Sequence, residues 1–152
     1  MKYLISLAAV LSLGACAGPP ETLVVKQFQL RDQARDTGEE PMVRMEKARH
    51  LRGAVSMEER GKRLGQYYTL IWHDPKGMGT GKVDVLFQYQ QGGSGSRVKR
   101  MTKQFPASAS QGTAEFAVVG DDYLKNGRVL AWQATVSRGG QELASKRSYL
   151  WR

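Results

Sequence analysis

Few side chains in this chain of 152 residues are placed for reactivity, and each has a competing structural reading. His73-Asp74 sets an imidazole beside a carboxylate where an alternating segment meets the turn Asp74-Pro75-Lys76-Gly77. A general base for hydrolysis could sit there; equally, Asp74 could bond the backbone of a surface turn. His50 lies in a charged helical stretch and reads as solvated. Two histidines and one cysteine, Cys16, leave a zinc site without ligands, and no Gly-x-Ser-x-Gly elbow supports a serine hydrolase. Gly77-Met78-Gly79-Thr80-Gly81-Lys82 superficially has the composition of a phosphate loop. It fails on spacing, because position 76 is Lys rather than Gly, and at Val83, where Ser or Thr must hold magnesium. It precedes a strand rather than a helix and reads as a mobile connection. Asp121-Asp122 and Glu58-Glu59 are adjacent pairs whose side chains diverge, whereas glycosidase chemistry needs converging carboxylates. The sequence thus predicts no metal and no cofactor, with catalysis at His73 and Asp74 only as the alternative reading.

The densest feature outside the expected core is cationic: Arg97-Val98-Lys99-Arg100-Met101-Thr102-Lys103. On a strand, Arg97, Lys99 and Lys103 share one face and Arg100 takes the other. Such a stripe can dock on anionic lipid or cell wall, or it can keep a sheet edge from pairing with another chain. Arg44, Lys47, Arg49 and Arg52 form a candidate second patch, with Glu46 and neighbouring acids tying up part of it. Most aromatic residues alternate with polar ones and read as core; Tyr67 is expected outside it.

The first twenty residues, MKYLISLAAVLSLGACAGPP, carry one charge (Lys2), an apolar run from Tyr3 to Leu13, and then Leu13-Gly14-Ala15-Cys16. This is the pattern of a secretory signal peptide, and its end resembles the lipobox of bacterial lipoproteins. The apolar run is too short to span a bilayer, which needs about 20 residues. The resemblance implies cleavage between Ala15 and Cys16, acylation of Cys16, and a protein held at the membrane through that anchor. Ala17, where inner-membrane lipoproteins typically carry Asp, implies the outer membrane, facing the periplasm. A soluble chain released by ordinary cleavage at Ala15-Cys16-Ala17 is the alternative.

The expected organisation is therefore a leader (1–15), a lipidated N-terminus and tether (16–22) stiffened by Pro19-Pro20, and one domain (23–152). The whole chain has 23 Lys+Arg against 14 Asp+Glu; losing Lys2 with the leader leaves 22 against 14, a formal +8. In an exported protein that charge points to an envelope protein partner or an anionic cell-wall or lipid surface, and not to nucleic acid.

Hydrophobic alternation predicts strands at Leu23–Leu30, Gln66–His73, Lys82–Gln90, Arg97–Phe105, Thr113–Val119, Arg128–Ser137 and Gln141–Trp151. In the first, Val24, Phe28 and Leu30 share a side. Between the first two strands, Met42–Arg52 predicts a helix with Met42, Met45 and Ala48 on one face, and Ser56-Met57-Glu58-Glu59 matches a capping box. Gly139-Gly140 predicts a tight hairpin that sets Val136 opposite Leu143 and Trp132 opposite Arg147, where a cation–π pair is expected. The fold class is mainly β: an antiparallel sandwich of about seven strands with a short helical insert between the first two. The pattern resembles immunoglobulin-like and fibronectin type III-like modules, without the immunoglobulin cysteine pair. In that resemblance Tyr123, near the penultimate strand, takes the place of a corner tyrosine. The reading as a whole is a membrane-anchored, non-enzymatic binding or structural module of the cell envelope, in which Arg97, Lys99, Arg100 and Lys103 contact an anionic surface.

Overall fold

Alternation sets the architecture. In β3 (Val83–Gln91) every second residue is buried, so one face of the strand must meet another sheet. The computed structural model describes residues 21–32, 38–77 and 79–152; the leader, Ala15 and Cys16 lie outside the described residues. Besides β3, the strands are β1 (Leu23–Leu30), β2 (Gly65–His73), β4 (Lys99–Phe105), β5 (Gln111–Val119), β6 (Val129–Arg138) and β7 (Gln141–Arg147). They form two antiparallel sheets, ordered β1-β2-β5 and β4-β3-β6-β7. This is a seven-stranded antiparallel β-sandwich. Helices α1 (Pro41–Leu51) and α2 (Met57–Gly61) lie between β1 and β2, and α3 (Gly120–Asn126) links β5 to β6.

The core is aromatic at its centre. Phe87 lies 5.5 Å from Phe116 and 4.5 Å from Tyr68 between ring centroids, so one ring joins both sheets. Leu23, Leu70, Trp72, Val85, Val118, Trp132 and Val136 complete the cluster. Each fully buried apolar side chain here contributes about 1.5–3 kcal/mol relative to exposure.

Two packing expectations need correction, and a third gains its orientation: Val24, Phe28 and Leu30 do share one side of β1, the side away from the sandwich. In β1 the side chains facing the sandwich are those of Leu23 and Val25, paired with Trp72 and Leu70. Phe28 and Leu30 belong to the opposite face, where the helical insert covers them; Phe28 stacks on His50 at 5.3 Å. In α1, Met42 and Met45 are 69 % and 67 % exposed, and the buried residue is Lys47. The inner position of that helix is filled by an alkyl stem whose ammonium bonds Asp32 at 2.5 Å and Glu39 at 3.3 Å. His50 is likewise not solvated: its ring lies between Phe28 and Tyr67.

The hairpin turn forms as expected, with positive φ at Gly139 and Gly140, the geometry of the favoured two-residue turn. A bulge between Val136 and Ser137 then shifts the register, so Val136 faces Ala144 and Gln133, not Trp132, faces Arg147. β7 ends at Arg147, and Ser148 ties the chain back to Trp132 by two hydrogen bonds of 2.9 Å. Tyr123 sits within α3, where its hydroxyl accepts a 3.2 Å bond from Gln29 Nε2.

Candidate functional site

The cationic segment falls on the edge of the four-stranded sheet, and its residues separate by role. β4 pairs only with β3: Lys99 opposes Tyr89, Met101 opposes Phe87 and Lys103 opposes Val85. Lys99 and Lys103 therefore stand on the sandwich side of the edge, while Arg100, opposite Gln88, stands on the outer face. Arg97 precedes the strand. Arg97, Arg100 and Lys103 are exposed. Lys103 lies over the Phe105 ring, 5.8 Å from its centroid.

Lys99 is different. Its ammonium forms an ion pair with Asp122 and a 2.8 Å hydrogen bond to Gln91 Oε1. Asp122 also accepts from the Tyr89 hydroxyl at 3.0 Å and from Asn126 at 2.9 Å. Burial pushes the Asp122 carboxyl up, but Lys99 and Tyr89 outweigh it and hold the group below its ordinary value. Gln91, buried, donates to the carbonyls of Asp122 (3.1 Å) and Gly127 (2.8 Å). Lys99 thus closes the end of the sandwich beneath α3.

His73 and Asp74 are parted by the end of β2. The Asp74 side chain is 3 % exposed and accepts from Arg138 Nε at 2.7 Å and from the Lys76 N–H at 2.9 Å. The Lys76 N–H, and then Arg138, hold this carboxyl below its ordinary value against the opposing effect of burial. Arg138 further donates to the carbonyls of Gly81 (3.3 Å), Ala107 (2.9 Å) and Ala109 (2.6 Å), binding two loops to one guanidinium. The glycine-rich run serves this clamp. Gly81 has φ +98°, and a Cβ there would stand 2.8 Å from Gly139 Cα. His73 makes no hydrogen bond with Asp74 among the described residues. It lines an open depression of about 750 Å³ with Glu21, Val24, Ile71, Gln111 and Thr113. Among the described residues no group of three His, Cys, Asp or Glu side chains could hold a metal. Nothing in the sequence singled out Arg138, and Lys47 reads there as part of a surface patch, because a buried cation leaves no mark on hydrophobic periodicity.

The second basic patch is largely committed to structure. Lys47 is held by Asp32 and Glu39, and Arg49 bonds Glu115 at 2.9 Å and Glu46 at 3.0 Å. Arg44 and Arg52 remain exposed. Tyr67 lies outside the core, as expected, and its ring stacks on His50 at 3.7 Å.

Fold and surface together define a β-sandwich with a cationic edge, a buried ionic clamp at one end and a partly exposed one at the other. Compared with known proteins, the chain matches no protein-family model, no curated protein and no solved structure.

Proposed function

We propose that the protein is a lipid-anchored accessory module of the bacterial cell envelope. It is non-enzymatic and held through acylated Cys16, and its sandwich offers Arg97, Arg100 and Lys103 to an anionic envelope surface. The carrying observation is that these three side chains are exposed on an edge strand and the residues just before it, and make no ion pair among the described residues. Lys99 leaves the proposed contact because Asp122 occupies it. Geometry adds a direction. Leu23 opposes Trp72 near the end of β2, so a tether from Cys16 enters at the end clamped by Arg138. Arg97 and the glycine-rich β3–β4 hairpin lie at the opposite end, away from that anchor. Seven residues from Cys16 to Leu23 span at most about 25 Å, which keeps the domain near the membrane. Acyl chains contribute roughly 0.8 kcal/mol per buried methylene, and two anchoring signals suffice for stable attachment. Confinement then raises effective concentration, so weak contacts suffice.

Intact mass of the membrane-extracted protein, wild type beside Cys16→Ala, tests the anchor. The expected mass is that of residues 16–152 plus acyl chains, absent from the variant; an unlipidated wild-type chain would remove the tethering mechanism. Retention of Arg97→Gln/Arg100→Gln/Lys103→Gln on purified cell wall and on anionic vesicles tests the surface. Retention equal to wild type on both would exclude it.

A further inference from the structure

Each sheet of the sandwich ends in two edge strands, β1 and β5 in one and β4 and β7 in the other. β7 is bulged, because Leu143 is skipped between the pairs Val136–Ala144 and Ser137–Glu142, and a bulge spoils an edge for further pairing. β1 lies against β7, and the Lys146–Glu21 ion pair of 2.8 Å fastens the two. β5 holds no cation, and its carboxylate, Glu115, is paired with Arg49. β4 has none of these features. Lys99–Phe105 pairs with β3 without a register shift and contains neither Gly nor Pro. Alternate residues of such a strand turn their N–H and C=O groups away from the one partner they have. The free cations of the edge are Arg100 and Lys103, with Arg97 three residues before the first. No carboxylate offsets them within β4. Asp84 of β3 opposes Gln104, on the face away from Lys103 and four residues along from the Arg100 row.

We propose that β4 accepts an extended acidic segment of a partner protein as an added strand, with two carboxylates three residues apart set against Arg100 and Lys103. The proposal rests on the reading above that this edge meets an anionic envelope partner, and it makes that partner a peptide. Arg100 and Lys103 stand on opposite faces of the sheet, about 10 Å apart along the strand. A flat bilayer cannot meet both faces at once. A strand seated on the edge does, because its side chains alternate as those of β4 do. Main-chain bonds then supply attachment, and cross-strand ion pairs supply choice. Charge on an edge is a common guard against pairing, but the guard has a sign. It repels a second copy of β4 and attracts an acidic strand.

The test uses the full lipidated chain in detergent and synthetic peptides of alternating valine and threonine. One peptide carries two glutamates three residues apart, a second carries them two apart, and a third has lysines in place of the first peptide's glutamates. Wild type should bind the first and slow hydrogen exchange at the β4 amides while those of β7 are unchanged. The second should bind about fivefold more weakly, with one carboxylate on the wrong face, and the lysine peptide should not bind. Arg100→Glu/Lys103→Glu should reverse the preference and take the lysine peptide. Arg44→Gln/Arg52→Gln, in the helical insert, should leave binding within about twofold. All four side chains are exposed, so the variants keep the fold, which thermal melting checks. Of two forms of the first peptide, N-methylated on one or the other alternate set of amides, one should lose binding. Equal binding of both forms to wild type, or unchanged exchange in β4, would overturn strand addition. Equal affinity for the two glutamate spacings would overturn the register on Arg100 and Lys103. Purified cell wall and anionic vesicles are run beside the peptides. Retention there that depends on Arg100 and Lys103, with no peptide bound, would overturn strand addition and leave the anionic-surface reading standing. Binding to none of these probes would overturn both.

Discussion

Asp74 shows how one carboxylate can carry a loop assembly. It is nearly buried, and two kinds of donor, the Lys76 N–H and the Arg138 guanidinium, hold its pKa below the ordinary 3.8. A carboxyl depressed in the folded state adds stability that is fully present above its unfolded pKa. That stability is lost as pH falls through the lower folded value. Asp74→Asn should therefore cost about 3 kcal/mol at neutral pH, because Arg138 is left buried without its counter-charge. It should also flatten the acid limb of the stability profile. Urea titrations between pH 7 and pH 2 check both; an unchanged acid limb would mean that the clamp is energetically idle. His50 has the opposite charge type but gives the same direction. Desolvation between Phe28 and Tyr67, then Arg49, push its pKa below the ordinary 6.5, and Glu46 and Glu115 only partly oppose this. The unfolded chain binds a proton first, so this contribution is full above pH 6.5 and fades as pH falls toward the folded value. His50→Phe keeps a stacked ring and removes the proton. Its stability should fall less than that of wild type between pH 7 and pH 5.

The strands were legible because alternation is a direct consequence of pleating: six of the seven predicted strands match the observed ones within two residues at both ends, and the seventh stops at Arg147 rather than Trp151. Register was less legible. A two-residue turn at Gly139-Gly140 fixes the first pairs of β6 and β7, but the bulge after Ser137 is a tertiary adjustment that moves every later pair by one. Helix α3 has no counterpart among the predicted elements; its place is set by Asp122 joining the Lys99 network and by Gly120 donating to the Leu64 carbonyl at 3.3 Å. The insert misled for a different reason. Apolar spacing put Met42 and Met45 inward, whereas ion pairing to Asp32 and Glu39 selects the Lys47 face. The capping box was read correctly: Ser56 Oγ accepts from the Glu59 N–H at 3.1 Å, and Glu59 accepts from the Ser56 N–H at 3.0 Å. α2 is short, so its start matters. Ser56→Ala should cost about 1 kcal/mol. Hydrogen exchange should quicken at the amides of α2 while those of β3 and β6 keep their protection; uniform quickening would show that the insert and sandwich open as one unit.

The two ends of the sandwich are closed by independent ionic assemblies, and this makes the last prediction sharp. Arg138 and Asp74 gather the β2–β3 loop, the β4–β5 loop and the β6–β7 turn. Lys99, Asp122, Tyr89 and Gln91 gather α3 and the β3–β4 hairpin. β6, with ten residues, runs from one assembly to the other, about 30 Å at strand rise. No residue belongs to both assemblies. Asp122→Asn removes the counter-charge of Lys99 and should cost about 1–3 kcal/mol. Combined with Asp74→Asn, the losses should add to within about 0.5 kcal/mol, as for distant sites without shared partners. Denaturant unfolding of the wild type, both single variants and the double variant completes the cycle. A coupling well above that figure would show that the ends communicate through the sheets. Additivity would show that each end is held by its own ionic assembly.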